Sequence, residues 1–151
     1  MASIADFWIE SNGRGVILMA FNSGIENDVY SCECVKQLMK HPEMAEVVVH
    51  KNGGEIFEAY SKCSKIIGAR FHSAVLALKM VLPFFPIVYS EKINNLIDDL
   101  EYPVYGCKIE KIDLKLIKKF LKSNVSYKLN KSIISASLRY NIFFKEALDK
   151  E

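Results

Sequence analysis

An arginine and a histidine, Arg70 and His72, stand two residues apart where an apolar run gives way to a helical pattern. Residues 65–68 predict a buried strand, and residues 73–81 predict the helix after it. A guanidinium fork matches the oxygens of a carboxylate or phosphate, and a helix N-terminus favours bound anions and a neutral imidazole. The spacing therefore predicts an anion-binding, acid–base site. The alternative is that Arg70 pairs with a structural carboxylate and that His72 caps its helix.

The elements around this pair alternate between strands and helices. Apolar runs predict strands at residues 16–21, 47–50, 65–68, 84–89 and 104–106. Amphipathic stretches predict helices at residues 3–12, from the turn at 22–24 to about 40, and at 55–63, 73–81, 91–100, 111–122 and 131–150. This alternation predicts an α/β fold, a single Rossmann-like open parallel sheet flanked by helices. Residues 1–151 are expected to form one domain, with a closing helix within 123–151.

Ligands of open parallel sheets bind outside the carboxyl ends of the strands, so polar residues at strand ends are further candidates. Asn22 and Ser23 follow the first strand, and they either bind substrate or serve the turn and the helix cap. His50 ends the second strand, where it is either a substrate contact or a partly exposed strand-end histidine. Tyr89 and Lys92 follow the fourth strand, and Lys92 either meets an anionic donor or is an exposed first-turn lysine.

Two segments resemble the polysaccharide pyruvyltransferase family. SKIIGARFHSAVLAL, at residues 64–78, is similar to that family's strand–Arg-x-His–helix segment. PIVYSEK, at residues 86–92, is similar to its next strand, which ends in a tyrosine and a lysine near the site. The resemblance extends over residues 14–122 and is strongest over 55–100, and two motifs in the right order make it more specific than Arg-x-His alone.

The resemblance implies a glycosyltransferase-B-like fold of which this chain is the C-terminal half-domain. It implies transfer of a pyruvyl group from phosphoenolpyruvate to a sugar or glycan hydroxyl, as a ketal, in exopolysaccharide or cell-wall polysaccharide biosynthesis. Arg70 would then bind the donor carboxylate or phosphate, and His72 would be the general acid or would orient the donor. The resemblance implies no cofactor and no metal. Family members are longer and place their site between two Rossmann-like halves, so this chain is expected to be a partial enzyme that docks to an N-terminal half or to a second copy.

Two other functions remain open from the sequence. A related glycosyltransferase-B-type domain would bind a nucleotide-sugar donor through a carboxylate near the last strands, for which Glu101 and Glu110 are the only candidates. A non-catalytic truncated remnant would instead expose the apolar surface on which a missing half would dock, and it would dimerise or dissolve poorly. Binding of phosphoenolpyruvate or of a nucleotide sugar separates these possibilities.

Charge is distributed unevenly along the chain. The net charge is +2, but residues 1–107 carry a balance of −4 and residues 108–151 a balance of +6. The basic C-terminal helices are either solvated lysine-rich faces or a peripheral membrane contact that approaches a lipid-linked acceptor. The whole-chain charge gives no indication of a nucleic-acid partner, and none is expected.

Cysteine usage and the chain start bear on the compartment. The four cysteines are scattered, without spacing typical of a metal site, and they predict reduced thiols. The first residues, MASIADFWIES, lack a basic stretch followed by an apolar run, and the longest apolar stretch is interrupted by Pro83 and Pro86. We therefore expect a cytoplasmic location.

Overall fold

The computed structural model describes residues 1–22, 27–50, 53–99, 101–104 and 106–123. Helices and strands alternate over these residues, which confirms the predicted α/β class. The helices are α1 (Ala2–Asn12), α2 (Asp28–Gln37), α3 (Gly53–Ser61), α4 (Phe71–Lys79), α5 (Glu91–Asp99) and α6 (Leu114–Lys122). The strands are β1 (Val16–Ala20), β2 (Ala45–Val49), β3 (Ile66–Gly68), β4 (Phe84–Val88) and β5 (Cys107–Lys108). The helix predicted at 131–150 lies outside the described residues.

The strands form two small parallel sheets flanked by helices, an arrangement consistent with a Rossmann-like open sheet. One sheet pairs β1 with β2, and the other has the order β3-β4-β5. The described residues also group into two compact units, and each sheet belongs to one of them. The first unit comprises Met1–Ser64 and Asp113–Ser123, and the second includes Lys65–Ile112. The assignment of residues 1–151 to a single domain stays a prediction.

The core of the first unit forms where α1 meets the beginning of its sheet. Apolar side chains of α1, of the segment before β2 and of the first residue of β2 are buried together, namely Ala5, Ile9, Met39 and Ala45. Asp6 is buried beside them because its Oδ1 accepts the backbone N–H of Lys40 at 2.9 Å. The helix α2 packs against both strands, and α6 packs against α1. The strands of this unit nevertheless remain largely half-buried.

The central strand of the second unit is more deeply buried than the strands of the first unit. Four of the five residues of β4 are buried, as expected for a central strand that is covered on both faces. The helix α4 packs against β3 and β4, and α5 packs against β4 and α4. Tyr102 completes this core: its hydroxyl donates to the carbonyl of Phe84 and accepts the backbone N–H of the same residue, both at 2.9 Å. Phe84, the first residue of β4, lies outside the stretch of β4 that pairs with β5. The buried hydroxyl of Tyr102 supplies hydrogen bonds to its backbone there.

The fifth strand differs from its predicted position. Val104 and Gly106, the described residues of the predicted strand, are not in a strand, and β5 begins at Cys107, which pairs with Ile87. The reason lies at Gly106, where a Cβ atom would collide with the backbone carbonyl of Pro86. The absence of a side chain at Gly106 lets the chain come this close to β4, and regular strand pairing starts one residue later.

The helices α4 and α5 of the second unit end in the same way. At α4, the N–H groups of Val81 and Leu82 donate to the carbonyls of Leu78 and Ala77, at 3.1 and 2.8 Å. At α5, the same pair of hydrogen bonds involves Glu101 and the residue after it. This is the Schellman arrangement, which requires a left-handed residue and favours glycine. Val81 (φ 58°) and Glu101 (φ 46°) occupy that position, so both helices end on a strained backbone.

Candidate functional site

The carboxyl ends of β3 and β4 define the candidate site in the second unit. These strands are parallel neighbours, with Gly68 opposite Pro86, so the loops that follow them emerge at the same edge of the sheet. Arg70 lies two residues beyond β3, and Tyr89 comes directly after β4. The structure therefore brings Arg70, His72, Tyr89 and Lys92 to one edge, as the strand-end argument predicts.

Arg70 and His72 occupy the junction between β3 and α4. Arg70 is half-buried and is the N-cap residue of α4, with extended backbone (φ −79°, ψ 138°) and without a side-chain capping bond. His72 is exposed and lies in the first turn of the helix, which confirms its predicted position near a helix N-terminus. The Phe71 and His72 rings meet edge to face, with centroids 6.2 Å apart. An exposed histidine and a half-buried arginine at one strand-to-helix junction suit a ligand that approaches from solvent.

Gly68 sets the tight turn between the strand and the helix. A Cβ at this position would collide with the side chain of Ser73 and would stand 3.2 Å from the Phe84 ring. Ser73 is itself buried, at 4% exposure, so it has little room to retreat. The absence of a side chain at Gly68 therefore allows the first turn of α4 to close directly over the end of β3. That closure keeps Arg70 and His72 close to the sheet edge.

The loop after β4 adds a phenol and an ammonium group. Tyr89 is 48% exposed, and Lys92 is exposed in the first turn of α5. The buried face of α5 consists of Ile93, Leu96 and Ile97, which fix the helix on the sheet. The edge thus combines two cations, an imidazole and a phenol, a set of groups suited to an anionic ligand with several oxygens.

Asn22 and His50 come to the corresponding edge of the sheet in the first unit. Ala20 pairs with Val49, and the N–H of His50 donates to the carbonyl of Ala20 at 2.8 Å, so both residues lie just beyond the strand ends. Asp28 has a structural role at this edge: its Oδ2 accepts the N–H groups of Phe21 and Asn22 at 3.2 and 3.0 Å. Ser23 lies outside the described residues.

The side chain of His50 carries one unsatisfied polar atom. Its ring stands edge to face with Phe21, at 6.4 Å between centroids. Its Nδ1 is buried and has no hydrogen-bond partner among the residues that the structure describes. A buried nitrogen of this kind costs free energy unless a ligand, a water molecule or another group satisfies it. This observation makes His50 the stronger of the two candidates in the first unit.

A cleft that the sequence did not reveal lies in the first unit, lined mainly by β2 and α3. Its volume is about 340 Å³. Its lining combines apolar side chains of β1, β2 and α3 with the charged side chains of Glu46, Glu55, Glu58 and Lys62. Lys62 and Glu58 form an exposed pair at 2.8 Å, and this contact lowers the pKa of Glu58 and raises that of Lys62. The i,i+4 spacing predicts the pair, but only the tertiary structure shows the cleft beside it.

Two of the four cysteines, Cys32 and Cys63, lie in surroundings that disfavour the thiolate. Burial raises the pKa of Cys63, and burial followed by the charges of Asp28 and Glu33 raises that of Cys32. Both thiols therefore stay protonated at neutral pH, which weakens them as nucleophiles and as metal ligands. No cluster of three or more histidine, cysteine or acidic side chains that would suit a metal ion occurs among the residues described.

The structure shows an α/β protein, and the carboxyl edge of its second sheet is the candidate site. No family model, no curated protein and no solved structure matches the chain. In the described part of the chain, none of the helices combines the length and the apolar character needed to cross a membrane.

Proposed function

We propose that the chain is a polysaccharide pyruvyltransferase-like domain that binds phosphoenolpyruvate at the carboxyl ends of β3 and β4. The observation that carries the proposal is the shared sheet edge of Arg70, His72, Tyr89 and Lys92. Phosphoenolpyruvate is a small dianion or trianion with a carboxylate and a phosphate. Two cations at adjacent strand ends complement these two groups, and the first turn of α4 adds its backbone dipole.

The proposed chemistry assigns a distinct task to each group. Arg70 holds the carboxylate or the phosphate of the donor, and Lys92 supplies a second positive charge. His72, in its protonated form, gives a proton to the methylene carbon of the donor, which becomes a methyl group. The adjacent carbon then has oxocarbenium character and is attacked by a sugar hydroxyl.

The remaining steps complete the ketal. Phosphate leaves with the electron pair of its C–O bond, and a second sugar hydroxyl bonds to the same carbon. Of the two protons released by the hydroxyls, one restores His72 and the other leaves on phosphate. Arg70 stabilises the charge that develops on the departing phosphate. The acceptor is a sugar or glycan of a cytoplasmic biosynthetic step, and a partner half or a second copy would complete the site.

Calorimetric titration with phosphoenolpyruvate tests the donor site on the intact chain. We expect Arg70→Ala to weaken binding about 10- to 100-fold, the range for a charge-assisted hydrogen bond, and Arg70→Lys to restore only part of it. Lys79→Gln is the matched control, because it removes one positive charge at the opposite end of α4. Its binding should equal that of the intact chain.

His72→Gln separates chemistry from donor binding. We expect phosphoenolpyruvate affinity to change less than in Arg70→Ala, whereas solvent-proton exchange into the donor methylene should fall about 100-fold or more. NMR of the donor in deuterated buffer, with the partner half added if it is required, measures this exchange. Absence of phosphoenolpyruvate binding by the intact chain, or equal binding by the Arg70 variants and the intact chain, would overturn the proposal.

A nucleotide-sugar donor is the competing ligand, and the structure bears on its two candidate carboxylates. Glu101 precedes Tyr102, whose hydroxyl binds the first residue of β4, so it lies towards the amino ends of the strands. Glu110 lies two residues beyond β5 and is exposed at the carboxyl side. Titration with a uridine diphosphate sugar is therefore the decisive comparison. Binding that is lost in Glu110→Gln and kept in Arg70→Ala would favour the nucleotide-sugar function.

A further inference from the structure

The helix α6 carries a lysine face that the donor site does not use. Its first turn is fixed by Asp113, whose Oδ1 accepts the N–H groups of Lys115 and Leu116 at 2.9 and 3.0 Å. Ile117, Phe120 and Leu121 are buried, so they define the face that packs on the first unit. At about 100° of rotation per residue, the opposite face consists of Lys115, Lys119 and Lys122, which lie within about 60° of one another. All three are exposed.

The positive charge of this face is not neutralised locally. The helix contains no acidic residue, and none of its four lysines forms an ion pair with a carboxylate of the described residues. Lys118 and Lys122 instead stand over the ring of Phe7 in α1, with their Nζ atoms 4.8 and 5.5 Å from its centroid. A cation–π contact orients an ammonium group without cancelling its charge. The face is therefore a partly ordered array of cations.

Apolar side chains flank the lysines. Leu114 is 43% exposed and Leu116 is 36% exposed, and the helical rotation puts them on opposite borders of the lysine face. The face contains no arginine, asparagine or glutamine. It therefore lacks the side chains that form bidentate hydrogen bonds to a nucleic-acid base or to a single phosphate. Point charges bordered by leucines on a convex helix match a flat layer of anionic headgroups above an apolar interior.

We propose that the lysine face of α6 (Lys115, Lys119 and Lys122), with Lys118 at its edge, docks the protein peripherally on an anionic lipid bilayer. The ammonium groups contact the headgroups, and Leu114 and Leu116 border this contact on either side. This interaction does not depend on the donor site, because it uses a helix of the first unit and requires no phosphoenolpyruvate.

Co-sedimentation with vesicles of phosphatidylcholine and phosphatidylglycerol, in about a two-to-one ratio, tests the proposal against pure phosphatidylcholine. We expect the intact chain to bind the anionic vesicles, to release them as salt rises, and to leave the neutral vesicles unbound. Lys115→Gln/Lys119→Gln should weaken partitioning about 25-fold, since each lysine near the surface contributes roughly a factor of five. Lys115→Arg/Lys119→Arg should restore it.

A double variant with the same change in net charge is the control. Lys36→Gln/Lys79→Gln removes two lysines from the last turns of α2 and α4, and its partitioning should stay within about twofold of the intact chain. Circular dichroism of each variant checks that the fold is kept. Three results would overturn the proposal: no preference for anionic vesicles, equal loss in the control, or equally tight binding of a single-stranded RNA that is lost in the same variant. Phosphoenolpyruvate titration of the vesicle-deficient variant reports separately on the donor site.

Discussion

The two sheets of this protein present their carboxyl edges differently. In the second unit, β4 is buried along most of its length, and the loops after β3 and β4 turn polar groups towards solvent. In the first unit the strands are half-buried, and the acidic group at the strand end, Asp28, is engaged by two backbone N–H groups. A rigid buried sheet can hold reactive side chains at its edge, whereas the edge of the first sheet uses its carboxylate to fix its own loop. Among the described residues of that edge, His50, with its unsatisfied nitrogen, is the group left open to a ligand.

The largest expected effect on stability comes from replacing a strand isoleucine by alanine, a change that can be made in each sheet. Ile87→Ala in β4 removes a side chain that is only 5% exposed, and we expect it to destabilise the protein by about 2–5 kcal/mol. Ile17→Ala in β1 removes a half-buried side chain beside the cleft and should cost about half as much. Urea unfolding followed by circular dichroism measures both variants. Equal costs would show that the two sheets are equally well packed and would remove the contrast.

A smaller effect is expected where Tyr102 pairs the first residue of β4. Tyr102→Phe keeps the ring but leaves the N–H and the carbonyl of Phe84 without the hydroxyl, at a cost of about 1–3 kcal/mol. Hydrogen exchange should show faster exchange of the Phe84 amide than in the intact chain. Unchanged protection of that amide would mean that another group satisfies it. Tyr89→Phe, at an exposed position, is the control and should leave stability unchanged.

At the left-handed residue after α4, a substitution by glycine is expected to raise the stability of the protein rather than lower it. Val81→Gly relieves a β-branched residue at φ 58° and should stabilise the second unit by about 1 kcal/mol, after the greater freedom of glycine in the unfolded chain is included. Glu101→Gly, at the equivalent position after α5, should give a smaller gain because glutamate is not branched at Cβ. Thermal unfolding measures both, and a lower melting temperature for Val81→Gly would contradict the strain argument.

The smallest effect concerns the Glu58–Lys62 pair beside the cleft. Lys62 lowers the pKa of Glu58 below its ordinary value of 4.5, and Glu58 raises the pKa of Lys62 above 10.5. The stabilisation is therefore present between these values, and it is lost as the pH falls through the lowered pKa of Glu58 or rises through the raised pKa of Lys62. Both groups are exposed, so Glu58→Gln should change the melting temperature slightly at pH 7 in low salt and not resolvably at about pH 2 or in high salt. A salt-independent loss would show that Glu58 is part of a buried network.

The order and type of the elements follow from the sequence alone, because their signals are local. The apolar run at 84–88 and the three-to-four-residue spacing of Ile93, Leu96 and Ile97 determine β4 and α5 without any long-range information. The N-cap aspartate of α6 and the alternating lysines and leucines after it likewise specify an amphipathic helix. Arg70 and His72 could be assigned to a strand-to-helix junction for the same reason.

Only the tertiary structure decided which residues from different elements come into contact. The shift of β5 to Cys107 results from the approach of Gly106 to Pro86, two residues that lie far apart in sequence. The engagement of Asp28 by Phe21 and Asn22, the hydroxyl of Tyr102 on Phe84, and the ring of Phe7 beneath the lysines of α6 are likewise contacts that no local pattern encodes. Each depends on which backbone groups the folded chain leaves unpaired and on which side chains its packing brings together, and both are settled only when all elements pack at once.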